Sequence, residues 1–213
     1  MIRRFLLLAA LIAGISYFFA NRVMPHDAVL TAWKGAGVGL LALWAVVHAH
    51  SRDGWLLVLV LALGAAGDVL IDVMGLEAGA AAFLAGHVFA IALYVRNRAM
   101  PIAGALTAAV IFAAAVGAAA YALAGPTAAL YAIGLGAMAG TAWTSRFSRA
   151  WVALGASLFV VSDLLIFARA GTLASSALPN LLIWPAYFFG QVLIAVGVVR
   201  GLSPRGAGPI WAR

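Results

Sequence analysis

The chain has 213 residues, of which 66% are hydrophobic and only 9% are charged, and it contains no cysteine. Soluble domains carry roughly 25% charged residues, so this composition excludes a water-soluble globule, and the lack of cysteine excludes a disulfide scaffold. The net charge of +7 comes from 12 arginines and one lysine that are scattered singly or in pairs. A nucleic-acid partner requires a basic patch instead, so the composition predicts an integral membrane protein that binds no nucleic acid.

Polar and turn residues divide the chain into eight apolar stretches, each close to the roughly 20 residues that a membrane-spanning helix needs. Every connection between them is short, which leaves no linker long enough to separate a second domain. We therefore predict an all-α, polytopic membrane protein, a bundle of eight transmembrane helices that forms one domain over residues 1–213. The predicted spans are 5–20, 28–50, 55–74, 79–95, 101–123, 127–144, 150–169 and 179–200.

The first stretch has the features of a secretory or twin-arginine signal, because Arg3 and Arg4 precede a run of Leu, Ala and Ile. It lacks a clean small-x-small cleavage site at its end. We therefore expect this segment to be retained as an anchoring helix.

The arginines also predict the orientation, because cytoplasmic loops hold Lys and Arg in excess. With the N-terminus inside, Arg22 and Arg169 are the two arginines of the outer loops. We expect both termini to be cytoplasmic and the protein to lie in the inner (plasma) membrane of a bacterium. The inner set is Arg3, Arg4, Arg52, Arg96, Arg98, Arg146, Arg149, Arg200, Arg205 and Arg213.

Ionisable side chains interrupt four of the apolar spans, and such groups are functional candidates because their burial in lipid is costly. Asp68 and Asp72 lie in the third span, with a spacing that puts both on one side of a helix. A rise of about 1.5 Å per residue places the deeper groups of all four spans in one layer, in the outer half of the membrane. Those groups are Lys34, Asp68, His87 and Asp163.

Three explanations of this layer remain open from the residues alone. One is a structural polar network, in which Lys34 neutralises one aspartate and His87, Tyr187 and Gln191 satisfy the rest. Another is a metal site built from Asp68, Asp72, His87 and Asp163, although metal sites more often contain two or more histidines. We favour the third, a pair of aspartates in unlike surroundings that act as acid and carboxylate in one shared cavity.

Five short motifs carry a family resemblance. They are Lys34 in the second span, Gly67-Asp68-Val69-Leu70 with Asp72 in the third, Gly79-x-x-x-Phe83-x-x-x-His87 in the fourth, Phe159-x-x-Ser162-Asp163-Leu164 in the seventh, and Tyr187-x-x-x-Gln191 in the eighth. By their order and their distribution over the spans, the sequence resembles the YhhN-like family of integral membrane proteins, the lysoplasmalogenases.

The resemblance implies that the protein hydrolyses the vinyl ether bond of lysoplasmalogens to a fatty aldehyde and a glycerophospho-alcohol. The expected catalytic residues are Asp68, Asp163 and His87, and no metal or organic cofactor is expected. The partners would be the lysophospholipid substrate and membrane lipid, with no obligate protein partner. Residues expected to bind substrate or tune the site are Lys34, Asp72, Ser162, Tyr187 and Gln191.

Two alternatives come from other functional classes. A small proton-coupled transporter or carrier would use buried Asp, Lys and His equally well, although the discontinuous helices and inverted repeats typical of such proteins are not evident in the sequence. The other alternative is a structural or partner-binding membrane protein.

Overall fold

The computed structural model of the chain describes residues 1–203, and helices account for most of them. A π-helical segment, Arg149–Ala153, leads directly into the seventh α-helix. The eight α-helices of this described part are α1 (Ile2–Val23), α2 (Ala28–Val46), α3 (Arg52–Met74), α4 (Leu76–Arg96), α5 (Ile102–Ala124), α6 (Pro126–Thr144), α7 (Leu154–Arg169) and α8 (Leu178–Leu202).

Seven of these helical segments are long and apolar enough to cross a membrane, which confirms an all-α, polytopic membrane protein. The predicted number of eight spans is not reached, because α6 is not among the seven. Its Gly, Thr, Tyr and Trp residues lower its hydropathy, and ten of its 19 residues are buried against neighbouring helices. The sequence-based count treated residues 127–144 as a span on the strength of their apolar character, whereas much of the surface of α6 faces protein.

The predicted orientation rests partly on residues outside the described part of the chain. Arg205 and Arg213, which the arginine count assigns to the cytoplasmic side, lie outside the described residues. The cytoplasmic location of both termini therefore stays a prediction.

Two single-residue turns join consecutive helices where the sequence predicted breaks. Gly75 separates α3 from α4 with φ of 95°, and Gly125 separates α5 from α6 with φ of 83°. Glycine adopts these positive φ values without the steric cost that a side chain brings. Pro126 then begins α6, a position where its missing N–H costs no helical hydrogen bond.

The chain divides into two compact units, and the boundaries between them fall within α4 and α8. Unit 1 comprises Met1–Phe89 and Ala195–Arg213, of which residues up to 203 are described, and unit 2 comprises Ala90–Ile194. The prediction of a single domain stays a prediction.

In unit 1, α1 packs against α2 and α2 packs against α3, with small residues at the closest approaches. A Cβ atom added to Gly35 of α2 would lie 2.6 Å from Cγ2 of Val69 in α3. A Cβ on Gly67 of α3 would lie 2.8 Å from the ring of Phe83 in α4. These glycines let the helices that carry the predicted site residues approach each other closely.

In unit 2, α5 and α6 form an extensive helix pair. Residues of α6 at every fourth position are small and buried: Ala128, Ala132, Gly136, Gly140 and Thr144. The backbone of α5 lies directly against two of them. A Cβ on Gly136 would lie 2.8 Å from Cα of Ala113, and one on Gly140 would lie 2.6 Å from the carbonyl oxygen of Ala108. The sequence of α6 is therefore adapted to contact another helix.

The loops at one end of unit 2 are also tied together. The backbone N–H of Arg146 donates to the carbonyl of Asn97 at 2.7 Å, and Nε of Arg146 donates to Oδ1 of the same residue at 2.9 Å. The N–H of Ala99 donates to the carbonyl of Thr144 at 2.9 Å. This short antiparallel contact joins the α4–α5 connection to the segment that follows α6.

Candidate active site

An ion pair joins α2 to α3 near one end of both helices. Nζ of Lys34 lies 2.7 Å from Oδ1 of Asp72, and the side chains are 14% and 30% exposed, respectively. The hydroxyl of Thr31, about one turn before Lys34, donates to Oδ2 of Asp72 at 3.3 Å. Both oxygens of Asp72 are thus engaged, and the pair remains partly accessible.

Asp68 lies one helical turn before Asp72 and is buried, with only 3% of its surface exposed. Tyr17 of α1, also buried, places its hydroxyl within electrostatic range of both carboxylates. That hydroxyl donates to Oδ1 of Asn21 at 3.3 Å. Unit 1 therefore contains a polar cluster in which the Lys34–Asp72 ion pair is partly exposed and the Asp68 carboxyl, one helical turn away, is buried.

His87 lies on α4, one turn after Phe83, and both side chains are buried. The ring of Phe83 fills the space above Gly67, the residue that precedes Asp68. A side chain at Gly67 would displace this ring, so the glycine allows Phe83 to pack against α3 next to Asp68. The predicted motif residues of the third and fourth spans therefore contact one another directly.

Unit 2 contains the other predicted carboxylate in a different arrangement. Asp163 of α7 is buried, and the hydroxyl of Tyr131 of α6 donates to its Oδ2 at 2.6 Å. The ring of Tyr131 also packs edge-on against Phe167 of α7, with ring centroids 6.1 Å apart. One carboxylate oxygen of Asp163 is thus held by a neutral donor, whereas Asp72 in unit 1 is held by a cation.

Ser162 is committed to the backbone of α8. Its hydroxyl, 1% exposed at the residue level, donates to the carbonyl of Ile183 at 3.0 Å. This contact lies just before Pro185, which interrupts the hydrogen-bond ladder of α8 because proline has no N–H. The hydroxyl of Ser162 therefore links α7 to α8 through a hydrogen bond.

The two predicted polar residues of α8 follow this proline. Tyr187 is buried, and its ring packs edge-on against Phe159 of α7 with centroids 5.1 Å apart. Gln191, one turn further, is 1% exposed, and among the described residues its Oε1 has no hydrogen-bond partner. A buried amide oxygen without a protein partner is a position where an ordered water is expected.

The metal hypothesis receives no support from the positions of potential ligands. In the part of the chain that the structure describes, no three His, Cys, Asp or Glu residues come together as a potential metal site.

Two further histidines, His48 and His50, follow the end of α2. Nδ1 of His48 lies 2.8 Å from the carbonyl oxygen of Trp44, and burial lowers the pKa of this histidine. His50 is exposed.

Sequence reasoning missed three side chains that contact or surround the predicted carboxylates: Thr31, Tyr17 and Tyr131. All three carry hydroxyl groups, whose burial in an apolar span is less costly than that of Asp, Lys or His and is therefore a weaker functional signal. Tyr17 and Tyr131 do lie within predicted spans, which is the one signal in the sequence that points to them. Asp68 belongs to unit 1 and Asp163 to unit 2, so their shared cavity stays a prediction.

Comparisons with known proteins give one family. No curated protein and no solved structure matches the chain. The YhhN family matches residues 29–198, a region that includes all the site residues predicted from the sequence. This match covers most of the chain and confirms the resemblance carried by the five motifs. The protein therefore belongs to the YhhN family of membrane proteins.

Proposed function

We propose that this protein is a membrane hydrolase that cleaves the vinyl ether bond of lysoplasmalogens. The observation that carries the proposal is the buried carboxyl of Asp163, which receives a hydrogen bond at 2.6 Å from Tyr131 within an apolar helical unit. Membership of the YhhN family supports the same reaction, because the family resemblance implies lysoplasmalogenase activity.

The reaction requires a proton donor and an anion. Asp163 gives a proton to the β-carbon of the vinyl ether, which forms a C–H bond and leaves an oxocarbenium ion beside a carboxylate. Water then attacks the cationic carbon and loses a proton to a carboxylate, giving a hemiacetal. When the hemiacetal collapses, its hydroxyl proton is transferred to the glycerol oxygen and the bond between that oxygen and the carbon breaks, so the products are a fatty aldehyde and a glycerophospho-alcohol.

Asp68 is proposed as the carboxylate that stabilises the oxocarbenium ion, much as paired carboxylates serve glycosidases. It is buried on the same side of α3 as Asp72, one turn from the Lys34–Asp72 ion pair, whereas Asp163 is held by the neutral hydroxyl of Tyr131. The unlike surroundings of Asp68 and Asp163 thus support different roles in acid–base catalysis.

Other predicted residues receive supporting roles. Lys34 is partly exposed, so its ammonium is proposed to meet the substrate phosphate. Gln191 is proposed to accept a hydrogen bond from the attacking water, because its Oε1 is buried and has no partner within residues 1–203. His87 is proposed to tune Asp68, and Tyr187 is proposed to help position the attacking water. Single-chain lipid would enter laterally from the bilayer, in which the helices lie.

The test compares three lysolipids with the same head group and chain length. Purified protein in detergent should release aldehyde from the vinyl ether lipid and leave the saturated alkyl ether intact, because only a vinyl ether forms the oxocarbenium ion on protonation. The acyl lysolipid, which an ester hydrolase would cleave, should also remain intact. Release of fatty acid from the acyl lipid, or no aldehyde from the vinyl ether, would reject the proposal.

The proton-coupled carrier remains the alternative from another class. It predicts substrate-dependent proton movement across sealed proteoliposomes without chemical change in the substrate. Mass analysis of the lipid recovered from such vesicles, alongside a pH-sensitive dye inside them, separates the two functions.

We also propose that α6 crosses the membrane as an eighth span and that both termini are cytoplasmic. Its 19 residues correspond to about 28 Å of helix at ~1.5 Å per residue, close to the thickness of the hydrocarbon core. Its low hydropathy is compatible with crossing, because its small residues contact α5 rather than lipid.

A further inference from the structure

We infer that Tyr131 is a positioning residue for the carboxyl of Asp163, with a role in the proton transfer itself. This inference rests on the proposed function, since it concerns how the proposed acid is oriented and stabilised. Tyr131 lies outside the five sequence motifs and is brought to Asp163 only by the packing of α6 against α7.

The hydrogen bond defines which oxygen of Asp163 carries the proton. The Tyr131 hydroxyl donates to Oδ2, so Oδ2 serves as an acceptor. A proton on Asp163 therefore resides on Oδ1, and Oδ1 is the atom that delivers it. Because the Asp163 residue is only 6% exposed, solvent contributes little to this choice. Tyr131 thus selects the reactive oxygen.

The same contact changes in strength during the reaction. Before proton transfer the acceptor is a neutral carboxyl group, and afterwards it is a carboxylate. Hydrogen bonds to a charged acceptor are roughly twice as strong as those between neutral groups. Tyr131 therefore stabilises the product of the protonation step more than its starting state, and this difference lowers the barrier.

The surroundings of Tyr131 hold its hydroxyl in place. Its ring packs edge-on against Phe167, which lies one turn after Asp163 on α7. The α6 backbone is itself held against α5 through Gly136 and Gly140. The donor therefore has little freedom to leave Asp163, and it needs no rearrangement when the charge develops.

The central variant is Tyr131→Phe, which removes the hydroxyl and keeps the ring. We expect kcat for aldehyde release to fall by about 10- to 100-fold, the range for loss of a hydrogen bond to a charged group, with KM nearly unchanged. Tyr121→Phe is the matched control, because Tyr121 on α5 is 61% exposed. A folded Tyr131→Phe variant with wild-type kcat would overturn the inference, since a purely structural hydroxyl would alter only stability.

An infrared measurement without substrate separates this inference from the proposed reaction. The carbonyl band of the protonated Asp163 carboxyl, identified by its disappearance in Asp163→Asn, should shift in Tyr131→Phe and stay fixed in Tyr121→Phe. An unshifted band would overturn the pairing even if the enzyme is active. A shifted band in a protein that releases no aldehyde would reject the reaction and the positioning role in it, while supporting the contact.

A second variant keeps the test decisive if Tyr131→Phe does not fold. With isotopically labelled tyrosine, Asp163→Asn should shift the phenol C–O band of one of the five tyrosines in the chain. No shift in any tyrosine band would overturn the inference. Where Tyr131→Phe does fold and the protein is active, the double variant Tyr131→Phe/Asp163→Asn should lose no more activity than Asp163→Asn alone, because Tyr131 acts through Asp163.

Discussion

At the scale of single residues, the two buried aspartates are expected to matter for turnover more than for folding. Asp68→Asn and Asp163→Asn keep nearly the same shape and remove the ionisable proton. Each should lower turnover by a factor on the order of 100 or more, the usual contribution of a positioned acid or base, while the folded yield persists. Aldehyde release and melting temperature, measured on the same purified variants, provide the comparison.

The control for these variants is Glu77→Gln, because Glu77 is exposed in the first turn of α4. Its activity and melting temperature should match those of the wild type. The structural-network interpretation predicts the reverse for the aspartates, with lower melting temperatures and normal activity per folded molecule. Folded Asn variants with near-normal turnover would rule out the catalytic assignment.

Lys34 and Asp72 give a second prediction at this scale, because the two members of the pair should differ in kinetic effect. Lys34→Gln should raise KM with kcat nearly unchanged, since the proposed phosphate contact contributes to binding. Asp72→Asn leaves Lys34 charged and available to phosphate, so KM should not rise. If both variants raise KM equally, the ion pair itself, and not the ammonium, is required.

Breaking this pair should also lower stability. Its side chains are only 14% and 30% exposed, and a charge left without its partner in a membrane span is costly. Chemical unfolding in detergent should therefore show a loss of stability for both variants, so KM is compared at equal amounts of folded protein.

At the scale of helices, the contact between α5 and α6 should tolerate no added side-chain volume. Gly136→Ala and Gly140→Ala place a Cβ 2.8 Å from Cα of Ala113 and 2.6 Å from the carbonyl oxygen of Ala108, both backbone atoms. We expect each substitution to lower the free energy of unfolding by about 1–3 kcal/mol, the usual cost of overpacking. Unfolding of the purified variants in mixed detergent measures the effect.

Gly39→Ala on α2 is the matched control for these substitutions. A Cβ there would lie 3.9 Å from Cβ of Ala65, an ordinary contact. Because alanine is favoured over glycine in a helix interior by roughly 0.5–1 kcal/mol, this variant should be as stable as the wild type or slightly more so. Equal destabilisation at all three positions would show that close packing is not the cause.

Helix positions were largely predictable from the sequence, because the residues that end these helices act locally. Gly75 and the Gly125-Pro126 pair mark turns through backbone geometry alone. The end of α2 at Val46, four residues before the predicted end at residue 50, was harder to predict. Residues 47–50 contain no glycine or proline that would mark the end of a helix. Whether α6 faces lipid or protein depends on its burial against α5, which hydropathy does not measure.

The candidate site was predictable in its ionisable groups but not in their partners. Lys34 was expected to neutralise an aspartate, yet the sequence did not indicate whether Asp68 or Asp72 would be paired. That choice depends on the rotation of α2 relative to α3, which close packing at Gly35 helps to fix. Tyr131 was missed for the same reason, because its contact with Asp163 depends on how two helices pack.

At the scale of the whole molecule, the side of the membrane on which each loop lies depends on whether α6 crosses. Reporter fusions at Gly125 and Gly171 should register outside, and fusions at Asn97 and Ser148 should register inside. The physical reason is the distribution of arginines, ten of which fall on the inner side and two on the outer side only if α6 crosses. If Gly125 and Ser148 report the same side, α6 does not cross, and the predicted depth shared by Asp68 and Asp163 is lost. If all four reporters are inverted, the number of crossings stands, but the site lies in the cytoplasmic half and substrate reaches it from that leaflet.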